Sequence, residues 1–518
     1  MVSGADRLGR RLASEAHVLS GLLVALGALA LYGRTLLPVL GLWDTAEFQT
    51  LGPVLGIAHP TGFPSYTLLA WVGSVVLQPV GEPAFRANLL SALLAAGAAG
   101  LTAGLVARLT GRTVIGIAAG TALAVAPATW AVGLRADAHA LHLFLAVLLL
   151  ILLVGWSRRL AEGRAADRWL IAAAVTYGVA LGNHALTILL APGIAAFVLL
   201  VQPRLPWQRP RLVLSCSAAL AATTVCLYAY LPLRSAMDPP LDYANPETLE
   251  GFRYLVFAEQ FRGTFQDFPA LDVALMTIGR ATLEQLGLLA VLGAVGLVAA
   301  LVRWPAMAAL LALWFGVTWA FALGYLNAGI ERYYLVPMLA AVVLGGYGAG
   351  AVRELVARRI DGQRAPSAES RPRRQGAAVA VAAVVAAALL IGPSLAAVPA
   401  RFDDLDSSRE VDGREWVEAV LPRLEANAVV VSWWSYSTPL WYAQFVEGRR
   451  LDVYVVDDRT ILDQELGDAG AAVERYLDER PVYLVRQAHE VGELEERFVL
   501  SRVPGIRESP VYRVDGRR

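Results

Sequence analysis

Between residues 17 and 396 the chain carries one apolar run after another, most of them close to the roughly 20 residues that take an α-helix across a bilayer. A soluble chain with this pattern would need many helices that are apolar on every face. Hydrophobic residues make up 57% of the 518 and charged residues only 17%, whereas an ordinary soluble domain is about a quarter charged. The mean hydropathy is +0.52. The pattern predicts an α-helical polytopic membrane protein.

The basic residues, all of them Arg, orient it. Arg7, Arg10 and Arg11 precede the first run, residues 17–37, which sets the N-terminus in the cytoplasm by the excess of positive charge on that side. The run lacks a small-residue cleavage site and reads as a signal anchor. The next apolar stretch, Tyr66–Leu77, is short for a span and reads as a helix at the membrane surface. The spans that follow are 88–107, 113–133, 139–156, 169–183, 185–201, 211–231, 281–302, 305–324, 333–350 and 376–396. Arg108 and Arg112, the Arg residues of 158–168, 204–211 and 353–374, and Arg303 then all face the cytoplasm. Counting Tyr66–Leu77 as a span would invert every one of these loops. The expectation is about eleven spans in the plasma membrane, with the C-terminus extracytoplasmic. Cys216 and Cys226 share one apolar run, and their separation along a helix makes a disulfide improbable.

After Val398 the composition changes. Strand-like runs at Ala428–Trp433, Leu451–Val456 and Val482–Val485 alternate with helical patterns near Glu410–Leu424, Pro439–Glu447 and Ala471–Glu479. The chain thus divides into a membrane module, 1–397, and an extracytoplasmic α/β domain with a partly parallel sheet, 398–518. The domain has no phosphate-binding Gly loop and reads as a docking or acceptor-binding module. Its aromatic segments, Trp433-Trp434-Ser435-Tyr436 and Trp441-Tyr442, could stack on sugar or peptide, or could be core.

Residues able to do chemistry gather in the outer loops. Asp44 and Glu47 follow the first span and lie three apart, so a helical turn would put both on one face. A carboxylate held there, partly dry, can take a proton from an acceptor hydroxyl; a solvated loop end would carry the same two acids. In Gly56-Ile57-Ala58-His59-Pro60-Thr61-Gly62-Phe63-Pro64, His59 could bind a phosphate, orient a carboxylate, or sit exposed on a rigid turn. Asp137, His139 and His142 could be read as a metal site, but zinc sites show clearer ligand sets, and a second acid facing the first loop is the simpler reading. Asn183 and His184 end a short span, where a polar pair is costly unless it lines a cavity or pairs with protein. Arg234 could hold a phosphate bidentately or anchor the interface. Glu331 and Arg332 lie in a short outer turn, Asn327–Tyr334. Of the six His in the chain, His59, His139, His142 and His184 map to this one face, which suggests a single cavity.

The motifs, taken in order, resemble a known family. Trp43-Asp44-Thr45-Ala46-Glu47-Phe48 followed by Gly56-Ile57-Ala58-His59-Pro60-Thr61-Gly62-Phe63-Pro64 is similar to the opening signature of the bacterial and animal membrane proteins grouped with transmembrane protein 260. Arg86-Ala87-Asn88-Leu89-Leu90-Ser91, Asp137-Ala138-His139-Ala140-Leu141, Gly182-Asn183-His184 and Leu231-Pro232-Leu233-Arg234-Ser235 extend the similarity over about residues 15–350. The resemblance implies a GT-C type glycosyltransferase, whose animal relatives are protein O-mannosyltransferases using a polyprenyl-phosphate mannose donor. It implies Asp44 as base or acceptor ligand with Glu47 beside it, and Asp137 as the second acid. Asp-Ala-His stands here where the family often has Glu-Val-Tyr.

The resulting expectation is an inverting transfer of a sugar, mannose by resemblance, from a polyprenyl-phosphate-linked donor to a hydroxyl of an acceptor protein or glycan. Asp44, Glu47 and Asp137 would be catalytic. His59, His139, Asn183, His184, Arg234, Glu331 and Arg332 would bind donor phosphate or substrate. Membrane lipid is an expected partner and nucleic acid is not; no metal site is assigned, and a divalent metal stays open. A lipid-linked sugar flippase would need polar groups at mid-bilayer depth and internal repeats. A membrane sensor with a ligand-binding tail would leave the loop acids unexplained.

Overall fold

Where lipid surrounds a chain, its backbone polar groups must pair within each segment, and helices follow. The computed structural model describes residues 4–327, 329–362, 391–507 and 509–518. Among them, six helices are long and apolar enough to cross a membrane: Glu15–Thr35, Pro83–Thr110, Ala138–Ala161, Pro210–Ser235, Pro305–Leu323 and Ile330–Val356. They correspond to six of the expected spans. Local breakers alter the others. The expected span 113–133 splits into Thr113–Ala124 and Pro127–Val132, with Pro127 opening the second piece. The expected span 281–302 breaks at Gly287 (φ +57°), where Leu271–Leu286 and Leu288–Arg303 meet at a bend of 113°. Asp167–Leu181 has only 15 residues, and 185–201 starts as a 3-10 turn, Ala185–Leu190, before the helix Ala191–Val201. The expected span 376–396 lies mostly outside the described residues.

Small residues set how close the helices come, because between helices in lipid close packing replaces the hydrophobic drive. Helix α1 (Gly4–Thr35) crosses α4 (Pro83–Thr110) at Gly21 and Gly100; a Cβ on Gly100 would stand 2.5 Å from the Gly21 carbonyl oxygen. Leu288–Arg303 meets Leu335–Gly362 in the same way, at Gly296 and Gly348.

Two short helices fill the end of the bundle after α1. They are α2 (Trp43–Val54) and α3 (Pro64–Val76), the latter where the surface helix was expected. Helix α2 buries Glu47, Gln49 and Thr50 as fully as its apolar residues. A buried amide must find partners, and Gln49 does so. Its Oε1 accepts from Gly41 N (3.0 Å), and its Nε2 donates to Asn88 Oδ1 (3.0 Å) and to the Val39 carbonyl (3.2 Å). Asn88 Nδ2 donates to the Leu37 carbonyl (2.8 Å), and its Oδ1 also accepts from Ala136 N (2.8 Å). Two amides thus lock the exit of α1, helix α2, helix α4 and the Arg135–Asp137 turn into one frame.

The C-terminal part is a five-stranded sheet in the order β2-β1-β3-β5-β4. Strands β1 (Val429–Val431), β2 (Tyr454–Val456) and β3 (Val482–Leu484) are parallel, and β4 (Phe498–Arg502) and β5 (Tyr512–Arg517) add an antiparallel edge. Both faces are covered. Val430 and Tyr483 pack toward Trp416, Leu440 and Tyr442; Val429, Val431 and Leu484 pack toward Ala472, Val473 and Leu494. Leu40, Ala46 and Ala84 of the membrane module belong to the first of these clusters. The helix Val398–Leu405 packs on the bundle, with Phe402 against Trp130 and Arg401 donating to the Val125 and Glu284 carbonyls. Helix Trp434–Phe445 lies on α2, where Thr438 Oγ1 donates to the Trp43 carbonyl (2.9 Å), and reaches the start of α4, where Tyr442 Oη accepts from Ala84 N (3.0 Å).

Candidate active site

Asp44 sits in the first turn of α2, directly after Trp43, a bulky residue held at φ +57°. Such a backbone costs about 1–3 kcal/mol and persists only where its surroundings over-determine it. Here Thr438 holds the Trp43 carbonyl, and the Trp433 ring meets the Trp43 ring edge-on at 5.0 Å. Asp44 Oδ1 accepts from Trp434 Nε1 (2.9 Å), and Oδ2 accepts from Arg332 Nη1 (3.3 Å). Arg332 also faces Asp137 Oδ2 at 3.7 Å. The acids of two distant loops therefore share one guanidinium. Asp137 caps the helix Ala138–Ala161, its Oδ1 accepting from His139 N (2.7 Å) and facing His139 Nδ1 (2.8 Å).

Glu47 and Asp44, expected on one face, have separate tasks. Glu47 is 0% exposed and turned toward His59: its Oε1 accepts from His59 N (2.8 Å) and its Oε2 from His59 Nδ1 (2.5 Å). The His59 ring then stands against Trp434 (5.6 Å) and Phe63 (5.1 Å). Glu47 does not line the cavity itself and meets it only through His59.

Burial and neighbouring charge set the protonation. Burial opposes an ionised Asp44, but His59, Arg332 and the Trp434 N–H outweigh it and hold the carboxyl below its usual range. Asp137 is likewise lowered against its burial, by His139 and then Arg332. Burial lowers the His59 imidazolium, but Glu47 and Asp44 overcome this and push it up to about 8. At neutral pH the site holds an Asp44 carboxylate beside a cationic His59 and Arg332.

Two cavities meet at Asp44. The larger, about 580 Å³, is lined at one end by Asp44, His59, His139, His184 and Arg332, and at the other by Ile188, Phe257, Phe261, Phe265 and Phe321. Ile188, Phe257 and Phe265 are largely exposed, so this cavity is polar inside and apolar toward its mouth. The smaller, about 350 Å³, lies on the other side of Asp44 among Arg135, Asp137, Glu331, Arg332, Asp404 and Glu410. Asp44, Arg332, Trp43 and Gly329 line both.

The remaining expected site residues divide. Glu331 is exposed and lines only the smaller cavity. Asn183, fully buried, donates from Nδ2 to the Ala138 carbonyl (3.0 Å) and so ties the end of Asp167–Leu181 to the start of the preceding helix, Ala138–Ala161. His184 Nδ1 accepts from Leu186 N (3.1 Å), which leaves Nε2 as the ring's N–H. Arg234, expected at a phosphate, lines neither cavity: Nε donates to the Leu55 carbonyl (2.8 Å) and Nη2 to the Val54 carbonyl (3.1 Å), at the C-terminal end of α2. A cation there satisfies orphan carbonyls and the helix dipole, so its fork is already engaged. Among the described residues no group of three His, Cys, Asp or Glu is placed to hold a metal. Sequence reasoning missed Gln49 and named Asn88 in a motif without a role, the two amides of the frame under the site, and it missed Arg262 and Tyr333 in the larger cavity. It noted Trp434 only as an aromatic that could stack.

A helical membrane module with paired loop acids at one end, closed by an α/β part, is the GT-C type of glycosyltransferase fold. ArnT from Cupriavidus metallidurans bound to undecaprenyl phosphate superposes with a TM-score of 0.60 at 14% identity, over 95% of this chain and 97% of that one. The archaeal oligosaccharyltransferase AglB from Archaeoglobus fulgidus, in complex with an inhibitory peptide and a dolichol-phosphate, superposes with a TM-score of 0.53 at 13% identity, over 96% of this chain and 74% of that one. The resemblance read from the loop motifs holds as well: residues 44–206 match the family described as the Protein O-mannosyl-transferase TMEM260 N-terminal domain. Mouse (Mus musculus) Protein O-mannosyl-transferase TMEM260 is 34% identical over 231 residues, which cover 43% of this chain and 31% of the mouse protein.

Proposed function

We propose that this chain is an inverting glycosyltransferase that moves a sugar, mannose by analogy with the mouse relative, from a polyprenyl-phosphate donor to a hydroxyl on an acceptor protein. The observation that carries this is the position of Asp44 between two cavities of unlike character. The larger cavity suits the donor: its exposed apolar mouth takes the polyprenyl tail, and its inner end takes phosphate and sugar. His59 and Arg332 inside, and Arg262 nearer the mouth, present cations to the phosphate. The smaller, polar cavity admits the acceptor. The Asp44 carboxylate removes the acceptor proton as that oxygen attacks the sugar C1. The C1–O bond to phosphate breaks from the opposite side, and its electron pair leaves on the phosphate, stabilised by the cations. Asp137 keeps Arg332 in place beside Asp44. By the positive charge of the other loops, the site faces outward from the plasma membrane.

The test is to incubate the purified chain with polyprenyl-phosphate mannose and candidate acceptor proteins and to follow mannose transfer and donor hydrolysis. Turnover that disappears in Asp44→Asn supports the proposal. Movement of the lipid across vesicles without turnover would replace it with a flippase.

A further inference from the structure

The α/β part holds a third cavity, of about 390 Å³, that the proposed transfer does not use. It lies just past the carboxyl ends of β1 and β3, with Trp433 following β1 and Arg486 following β3. β1 lies between β2 and β3, and the helices after β1 and β3 go to opposite faces of the sheet: Leu440 packs on one face, Leu494 on the other. The cavity therefore stands at the topological switch point of the parallel strands, where open α/β sheets leave a crevice for ligands.

Its polar lining is unusual. Arg486 is 3% exposed. Its Nη1 is engaged by Asp458 and, at 3.5 Å, by Glu490. Its Nε and Nη2, and Nε1 of Trp433, are buried and have no hydrogen-bond partner among the described residues. Nε and Nη2 form one edge of the guanidinium, the edge that grips two oxygens of a carboxylate or phosphate. Leaving such buried donors unpaired is costly, so the site favours a group that brings clustered acceptor oxygens. Glu495 also lines the cavity but is exposed, as expected of a rim position. Trp433, Tyr436 and Tyr512 give flat aromatic walls, and Gln487 and Ser509 add polar groups. The volume falls in the range of small-ligand sites, about 300–1,000 Å³.

The geometry points to a second ligand site that binds a saccharide unit bearing a carboxylate or a phosphate, with Arg486 Nε and Nη2 and Trp433 Nε1 on its oxyanion and the aromatic walls around its ring. The site stands apart from the proposed transfer chemistry and does not depend on it.

Isothermal titration of the full chain in detergent with D-glucuronate, mannose 6-phosphate, inorganic phosphate and neutral mannose tests the assignment. Saturable binding of glucuronate or mannose 6-phosphate is expected, and which of the two binds more tightly distinguishes carboxylate from phosphate. Arg486→Gln should weaken that binding at least about tenfold, the loss of a charged hydrogen-bond pair. Because Arg486 is buried, Gly492→Leu serves as the independent variant. Gly492 lines the same cavity, and a Cβ there meets nothing within 4 Å, so a side chain added at this wall takes up open space without disturbing its neighbours. It should weaken binding with the melting temperature no lower than that of the wild type, since Leu suits a helix interior better than Gly. Absence of binding by any acidic sugar, binding that survives both variants, or equal binding of inorganic phosphate or mannose would overturn the assignment.

Discussion

Replacing Asp44 by Asn changes one oxygen to an NH2 and leaves the shape of the site intact. Oδ1 can still accept from Trp434 Nε1, so the bond at 2.9 Å survives. The NH2 now at the Oδ2 position cannot accept, so the bond from Arg332 at 3.3 Å is lost, while Arg332 keeps Asp137 at 3.7 Å. The side chains of Asp44 and Arg332 are 30% and 33% exposed, so solvent screens the pair only in part, and its loss costs about 1–2 kcal/mol. The fold should therefore persist. The chemistry should not, because Asn cannot take a proton: loss of a general base lowers the rate about a hundredfold to ten-thousandfold. The assay is mannose transfer from a polyprenyl-phosphate donor, run beside thermal unfolding in the same detergent. Donor binding should stay within a few-fold of wild type while kcat falls. If Asp44→Asn melts normally and retains more than about a tenth of the wild-type rate, Asp44 is not the base.

Three further outcomes follow from the same geometry. The His59 imidazolium, raised from 6.5 to about 8, adds about 2 kcal/mol of stability below pH 6.5 that is lost as pH rises through about 8; thermal unfolding against pH should show this slope, and Glu47→Gln should flatten it, whereas an unchanged slope would exclude the pair as its source. Trp434→Phe removes the N–H that helps to lower the Asp44 carboxyl, so the acid limb of the kcat/KM profile should move to higher pH; a limb that stays in place would mean that this bond does not tune the base. Arg234→Ala should cost about 1–2 kcal/mol of stability through the freed Val54 and Leu55 carbonyls and leave the KM for donor nearly unchanged; a large rise in KM with normal melting would return Arg234 to the phosphate.

What the sequence could and could not convey follows from the range of each constraint. Bilayer thickness imposes a length on every span, so six of the expected spans are helices of the right extent. Pro127 and Gly287 are visible breakers, but the 113° bend at Gly287 depends on what surrounds it. Three parallel strands were legible as buried valine-rich runs. β4 and β5 were not, because FVLSR and YRVDGR interrupt their apolar residues with Arg, Ser, Asp and Gly and show no sustained apolar run. In the site, the motifs around Asp44, His59 and Asp137 were legible and their partners were not. Spacing paired Asp44 with Glu47, yet Glu47 turns inward to His59 and Asp44 turns to Arg332 and Trp434. Trp434 lies 390 residues from Asp44, and no local pattern connects them. One general rule could have found it. Open α/β sheets bind ligands past the carboxyl ends of parallel strands, and the run Ala428–Trp433 ends in a Trp pair at such an end. Of that pair, Trp434 reaches Asp44 and Trp433 lines the third cavity. The end of one short strand thus supplies a residue to each of two sites, which makes the α/β part a component of the candidate active site rather than an appendage to it.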